Sequence, residues 1–222
     1  MSNKSKIDLV IVGTGGFARE ILWTIRDYNE IYHEFSVLGF LDDNESLLGQ
    51  TIDGIKVLGN TDWIFSKKNK IKCVIGIADS QTRKKIVHKF EKEKISFQTI
   101  IHPSVIFSKS NKIGNGTIIQ AGSIITTDTV IGNHVHINMD VTIAHDSVIQ
   151  DFATISPGVH VNGNTIVGEG TFIGSGAVMQ QGLKIGKWAK IGAGTVLRTN
   201  VEDHSMYAGV PGKLKKNSKG NS

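Results

Sequence analysis

Eight histidines are the side chains of this 222-residue chain best suited to moving protons near neutral pH, because an imidazole titrates near 6.5 in water. His33 and His88 lie in the front half, His102 precedes Pro103, and His204 is near the end. His134, His136, His145 and His160 fall between. His145 stands beside Asp146, in Ile143-Ala-His-Asp146. A carboxylate near an imidazole fixes its tautomer and raises its basicity, so this pair is the candidate general base. The alternative for His145 is an ordinary corner residue. A second chemistry is written in Gly13-Thr-Gly-Gly-Phe-Ala18. Bare glycines let a phosphate approach the backbone, and a following helix N-terminus favours the anion. Packing of helix on strand is the alternative use of those glycines.

The element that must position His145 is a repeat. Every sixth residue from Ile101 through Phe107, Ile113 and Ile119 to Leu197 is apolar, without insertion. At 39% apolar residues, chance would give such a run on the order of once in millions. Two positions earlier stand small or β-branched residues, among them Thr117, Ser123, Val135, Ala153, Thr171 and Thr195. Period six fits neither an α-helix nor simple alternation. It fits a parallel β-helix in which three hexapeptides close one triangular coil, so residues 101–198 give about five coils. Of the 25 glycines, seventeen lie beyond residue 100, which suits short strands and tight corners. Counted from the inward residue, His145 is at the second position, and stacking places Thr127, His145, Gly163 and Gln181 in one column about 4.8 Å apart. Gly163 is expected to leave a notch beside the imidazole.

The front hundred residues read differently. Ile7–Val12 is a buried-type strand, followed by the glycine loop and an apolar helix pattern at Ile21, Leu22 and Ile25. Further strands are expected at Val37–Leu41, Cys73–Ile77 and Ser96–Ile101, with a basic helix from Thr82 to Lys94. Strands alternating with helices imply a small parallel Rossmann-like sheet. Asp42 and Asp43 follow the second strand, where an acid binds ribose in nucleotide folds. About 95 residues is short for a full dinucleotide fold and suits a mononucleotide better.

Other classes drop out. One cysteine, Cys73, gives no disulfide framework and no cysteine-based zinc site. No apolar run approaches the roughly 20 residues that span a bilayer, and Ile7–Val12 carries Asp8, so it is not a signal peptide. The net charge of +5 is spread thinly, unlike a nucleic-acid binder. A cytoplasmic protein with no membrane insertion is the default. The expected architecture is therefore α/β plus β: a Rossmann-like nucleotide-sugar-binding domain over 1–100, a β-helix over 101–212, and a basic flexible tail over 213–222.

The repeat resembles the hexapeptide-repeat acyltransferases, and Tyr207-Ala-Gly-Val-Pro-Gly-Lys213 is similar to that family's closing signature, with Gly212 in place of alanine. The resemblance implies left-handed coiling, against the usual right-handed crossover. With Gly-x-Gly-Gly-Phe17, Phe40-Leu-Asp-Asp43, Gly76-Ile-Ala78 and the motif around His145, the whole span 7–212 resembles bacterial nucleotide-sugar acetyltransferases. These include UDP-4-amino-sugar N-acetyltransferases of bacillosamine synthesis, dTDP-sugar relatives and sialic-acid O-acetyltransferases.

That resemblance implies acetyl-CoA as co-substrate, a nucleotide-linked amino sugar as acceptor, no metal, and a homotrimer with sites between subunits. It implies His145 as base and Asp146 as its acid partner, with Asp where the bacillosamine enzymes tend to have Glu. Asn138 matches a position that contacts the sugar near its amine. Thr154 stands where some relatives carry a second histidine toward the acetyl carbonyl. Gly163, Gly174 and Ser175 match backbone contacts to acetyl-CoA. Gly13, Gly15, Gly16 and Phe17 would cradle the diphosphate, and Asp42 and Asp43 the nucleoside. Three rivals remain: acetylation of a hydroxyl, a dTDP-linked acceptor, and a non-enzymatic nucleotide-binding scaffold.

Overall fold

The computed structural model describes residues 6–67 and 70–216. The chain divides into two compact units, Met1–Pro103 and Ser104–Ser222.

The first unit is built around β1 (Ile7–Val12), whose Leu9, Val10, Ile11 and Val12 are fully buried. A strand buried on both faces belongs in the middle of a parallel sheet. Accordingly β1 pairs in parallel with β2 (Phe35–Leu41) on one side and β5 (Lys72–Ile75) on the other. With β3 (Thr51–Ile52), β4 (Ile55–Gly59) and β6 (Ser96–Phe97) the strand order is β3-β4-β2-β1-β5-β6. Helix α1 (Gly16–Tyr32) buries Ala18, Ile21, Leu22 and Ile25, one stripe at helical spacing. Helix α2 (Ser80–Lys92) buries Val87 and Phe90. The chain leaves β1 toward β2 and later returns to its other side as β5, so the order reverses at β1. In such sheets the crevice at the carboxyl ends of the strands is the usual ligand site.

The hairpin of β3 and β4 was not expected from the sequence. It turns on Asp53 and Gly54, both in the left-handed region (φ 48° and 80°), the mirror-image turn that suits the twist of two strands.

The second unit is a left-handed parallel β-helix. Two-residue strands fall on three faces: the first from Ile118–Ile119 to Lys190–Ile191, the second from Ile106–Phe107 to Val196–Leu197, and the third from Lys112–Ile113 to Lys184–Ile185. Pairing advances one coil at a time, as Ile125 with Ile143, then Val161, Met179 and Leu197. From Ile119 to Leu197 each inward residue is at most 2% exposed. The apolar register starts earlier than the interior does. Phe107 is 45% exposed, because its strand is hydrogen-bonded to a neighbour on one side, the Ile124–Ile125 strand. The small residues two positions earlier are also buried, and their hydroxyls bond to carbonyls across the coil: Thr117 to Gly132, 2.8 Å; Ser123 to Asn138, 2.8 Å; Thr171 to Gly186, 2.6 Å. These bonds satisfy the buried hydroxyls, whereas Thr195 Oγ1, in the same register of the last coil, is buried without a hydrogen-bond partner among the described residues.

The corners follow one rule. From Gly116 to Gly194, every sixth residue has a positive φ. Asp128, Asp140, Asp146 and Asn164 are residue types that tolerate this conformation. Phe152 and Trp188 do not, at a cost of about 1–3 kcal/mol each. Their rings are used: Phe152 is buried and stacks on His134 with centroids 5.4 Å apart, and Trp188 covers Gly170.

After the last coil, Met206–Ala208 extends the first face and Lys213–Lys216 pairs back on it antiparallel. The expected flexible tail is therefore corrected for residues 213–216. Gly209 and Gly212 bracket the turn that reverses the chain, so these residues continue the sheet. Residues 217–222 lie outside the described residues.

Candidate active site

His145 sits where the chain passes from the second face to the third, after the strand Thr142–Ile143 and before Val148–Ile149. Inward Ile143 and Ile149, both fully buried, anchor the corner on either side. The corner is held to its neighbours by backbone bonds: Asp146 N–H donates to Thr127 O (3.2 Å) below, and Asn164 N–H to His145 O (2.9 Å) above. Only the two side chains remain outside the coil. The imidazole is 47% exposed and the carboxylate 54%, so both are reachable from solvent.

Asp146 Oδ2 lies 2.8 Å from His145 Nδ1. With the ring neutral, Nδ1 donates to the carboxylate and Nε2 keeps its lone pair. The shorter acid therefore reaches the ring directly. One coil earlier the same relation recurs without an imidazole: Thr127 Oγ1 donates to Asp128 Oδ2 at 2.9 Å.

Gly163 stands one coil above His145, as the column requires. Its role differs from the expected notch. A Cβ at residue 163 would lie 2.6 Å from both Cε1 and Nε2 of His145. The imidazole itself occupies the space that glycine leaves, and a side chain there would expel it.

The remaining β-helix candidates lie elsewhere on the prism. Asn138 follows a strand of the first face, is 8% exposed, and its Nδ2 donates to Ile155 O at 2.9 Å. Thr154 belongs to the first face and is 3% exposed. Gly174 and Ser175 follow the strand Phe172–Ile173 of the same face. Ser175 is exposed. A Cβ at Gly174 would lie 2.6 Å from Ala193 N, so close approach of two coils already accounts for that glycine. One chain therefore brings together His145, Asp146 and Gly163 on one edge. Asn138, Thr154, Gly174 and Ser175 belong to another face.

In the first unit, Gly13 ends β1 with φ 95°, a conformation that L side chains rarely adopt, and its N–H donates to Leu41 O at 2.7 Å. Gly15 precedes α1, and nothing lies within 4 Å of a Cβ placed on Gly15 or Gly16. This open ground at a helix N-terminus fits a phosphate. Phe17, half-buried, is in the first turn of α1. Asp42 accepts from Thr14 Oγ1 at 2.7 Å and from Asn44 N–H at 3.0 Å, so it ties the glycine loop to the end of β2. Asp43 accepts from Thr61 N–H at 2.8 Å. Both acids thus also shape loops at the carboxyl end of the sheet.

The sequence reading missed Arg83. It is fully buried in α2, and its guanidinium donates to Ile77 O (2.8 Å) and Ala78 O (3.0 Å). Burial pulls its pKa down to about 9, opposed by the charge of Asp79. Nothing in the sequence distinguishes it from the lysines around it. Among the described residues no group of three or more His, Cys, Asp or Glu could hold a metal ion, and no helix is long and apolar enough to cross a membrane.

Residues 8–90 match the PglD N-terminal domain family, and residues 164–199 match the bacterial transferase hexapeptide family (six repeats). No match was found among curated proteins. Among solved structures, the chain is similar to the acetyltransferase domain of PglB from Neisseria gonorrhoeae FA1090 in complex with acetyl coenzyme A. The TM-score is 0.87 at 26% identity, covering 95% of this chain and 100% of that one. It is similar to PerB from Caulobacter crescentus in complex with CoA and GDP-perosamine, with TM-score 0.86 and 28% identity over 94% of this chain and 97% of that one. It is also similar to WeeI from Acinetobacter baumannii AYE, with TM-score 0.85 and 29% identity over 95% and 100%.

A PglD-type domain followed by hexapeptide coils, over nearly the full length of these relatives, defines a class. The chain is an acetyltransferase built on the hexapeptide-repeat fold, similar over that length to bacterial nucleotide-sugar acetyltransferases.

Proposed function

We propose that the chain transfers the acetyl group of acetyl-CoA to the 4-amino group of a nucleotide-linked amino-dideoxy sugar. The nucleotide is UDP, and the product feeds a surface glycan or glycoprotein. The observation that carries this reading is the His145–Asp146 pair at 2.8 Å on an exposed edge, with the ring seated over Gly163.

The mechanism follows from that geometry. Nε2 of His145 takes the proton that the sugar amine must lose as its nitrogen attacks the thioester carbon. Asp146 holds Nδ1–H and stabilises the imidazolium that forms. The tetrahedral oxyanion collapses, the C–S bond breaks, and CoA leaves as the thiolate. The imidazolium returns its proton to that sulfur. An amide and a free thiol result, and no covalent enzyme intermediate is needed. Gly13, Gly15, Gly16 and Phe17 hold the diphosphate, with Asp42 and Asp43 on the nucleoside.

Asn138, Thr154, Gly174 and Ser175 act on substrates in this reading from a neighbouring copy of the chain, since one protomer separates them from the His145 edge. In this reading the copies form a closed three-fold assembly of flat-sided prisms. We assign the enzyme to the cytoplasm, where acetyl-CoA and nucleotide sugars are available. A GDP-linked sugar is the second reading, favoured by the likeness to PerB, which was solved with GDP-perosamine.

The test is a panel of UDP-, GDP- and dTDP-linked 4-amino sugars beside hydroxyl acceptors, read by release of free CoA thiol. Turnover is expected with a nucleotide-linked amine, and His145→Ala should lower kcat by about 100-fold or more with little change in KM. No CoA release with any acceptor would leave a nucleotide-binding scaffold. Near-normal turnover by His145→Ala would reject the base assignment.

A further inference from the structure

Attack on a thioester turns its carbonyl oxygen into an oxyanion, and a donor already in place where that charge develops lowers the barrier. His145 supplies no such donor. Its Nδ1 is held by Asp146 at 2.8 Å, and Nε2 is the atom that takes the proton. The ring itself fixes where a donor must stand. A Cβ on Gly163 would meet Cε1 and Nε2 at 2.6 Å and Cδ2 at 3.1 Å. The reacting nitrogen therefore lies beside the coil of Gly163, one level above its own corner.

The two sides of that nitrogen differ in charge. Thr142 pairs with His160 and His160 with Val178, so His145, Gly163 and Gln181 stack in one column. Gly182 N–H donates to Gly163 O at 2.9 Å and fixes the upper coil. Because Gly163 carries no side chain, Gln181 is the next one above the ring, on a coil about 4.8 Å higher. These two coils line the edge with carboxamides: Asn162 and Asn164 beside Gly163, then Gln180 and Gln181. All four residues are exposed, and among the described residues none of their side-chain amides is engaged in a hydrogen bond. Below the base, Thr127 Oγ1 donates to Asp128 Oδ2 at 2.9 Å, which leaves a carboxylate on that side. An oxyanion is repelled by that charge and stabilised by uncharged amide donors.

We infer that Gln181 is a catalytic residue of the acetyl transfer: its side-chain N–H donates to the thioester carbonyl oxygen as that oxygen becomes negative, on the upper side of the imidazole. This rests on reading His145 as the base. The acceptor forms its bond to the carbonyl carbon and passes its proton to Nε2. The carbonyl π pair moves to the oxygen, which accepts the Gln181 hydrogen bond without taking the proton. When C=O re-forms, the C–S bond breaks and the imidazolium proton goes to sulfur. The oxyanion is the same whether an amine or a hydroxyl attacks.

The test uses whichever acceptor the wild type acetylates. Gln181→Leu should lower the single-turnover transfer rate at saturating substrates by about 100- to 1000-fold, the loss that follows removal of one oxyanion donor. KM for both substrates, and Kd for CoA, which has no acetyl carbonyl, should stay within about twofold. Gln181→Glu keeps the length and replaces the donor by a carboxylate. It should be at least as slow, and it carries the test if Gln181→Leu does not fold. A transfer rate near wild type in either folded variant would overturn the inference. So would a loss confined to KM for the sugar or for acetyl-CoA, which would make Gln181 a contact to the ground state only. An active wild type with an unimpaired His145→Ala rejects the base, and this assignment, built on its Nε2, falls with it. A wild type that acetylates no acceptor has the same consequence. Wild-type transfer by a Gln181 variant alone rejects Gln181 and leaves the base standing.

Discussion

Gly163→Ala isolates the geometry of the base with one carbon atom. Gly163 is not in the left-handed region, and the neighbours of a Cβ at that position are three atoms of the His145 ring: Cε1 and Nε2 at 2.6 Å and Cδ2 at 3.1 Å. Ordinary carbon contacts are about 3.5–4.0 Å, so the ring must retreat by about 1 Å. It is tethered to Asp146 by a 2.8 Å bond, and a movement of that size breaks or badly stretches it. Misplacing a reacting group by that distance costs about 100-fold in rate, or about 2.7 kcal/mol of transition-state stabilisation. The fold should not suffer, because the displaced atoms end an exposed side chain and alanine restricts the unfolded chain by about 0.4–1 kcal/mol. Steady-state CoA release and thermal unfolding, measured on the same preparation, should give a kcat about 100-fold lower and an unchanged Tm. In a His145→Ala background there is no ring to displace, so the second substitution should cost nothing further. A rival account has Gly163 contacting acetyl-CoA through its backbone; it predicts a raised KM for acetyl-CoA and a loss that persists without His145. Either that persistence or near-wild-type activity in Gly163→Ala would refute the reasoning.

The other predictions concern the partner acid, the glycine loop and the lone thiol. Asp146→Asn keeps a side chain that tolerates φ 58° but removes the charge that stabilises the imidazolium; kcat should fall by about tenfold or more with Tm little changed, and an unaltered kcat would show that the 2.8 Å bond is idle. Gly16→Ala meets open space, so stability should hold while KM for the nucleotide sugar rises by about tenfold and KM for acetyl-CoA stays put; unchanged kinetics would remove this loop from the site. Burial pushes the Cys73 thiol well above its ordinary pKa of 9.0. The native chain should therefore resist alkylation at pH 8 and react once unfolded, as mass spectrometry would show. Because the folded pKa is the higher one, any stability this group contributes is full below pH 9 and is lost as the pH rises further.

The β-helix was legible because its repeat leaves nothing to long-range chance. Every inward residue from Ile119 to Leu197 appears in sequence at the spacing that buries it. His145 and Asp146 were legible because they are adjacent, so any corner conformation keeps them near each other. The orientation of the ring over Gly163 was not, since it depends on a rotamer. In the front unit, strands β1, β2 and β5 were visible as apolar runs. The β3–β4 hairpin was overlooked although Asp53-Gly54 is a recognised turn pair; its strands are short and half exposed, without an apolar run. Arg83 was invisible for a different reason. A lone arginine among lysines reads as solvated surface, and only tertiary placement reveals that it binds carbonyls.

The corner ladder has an evolutionary consequence. Backbone bonds link each coil to the next in one pattern, so the scaffold distinguishes rungs only by what is written on them. Duplicating or deleting a whole coil above the corner would preserve every inward register, whereas a single inserted residue would rotate all that follows. Reactivity on such a prism is portable: Thr127→His together with His145→Gly would lower the imidazole by one storey while leaving the building intact.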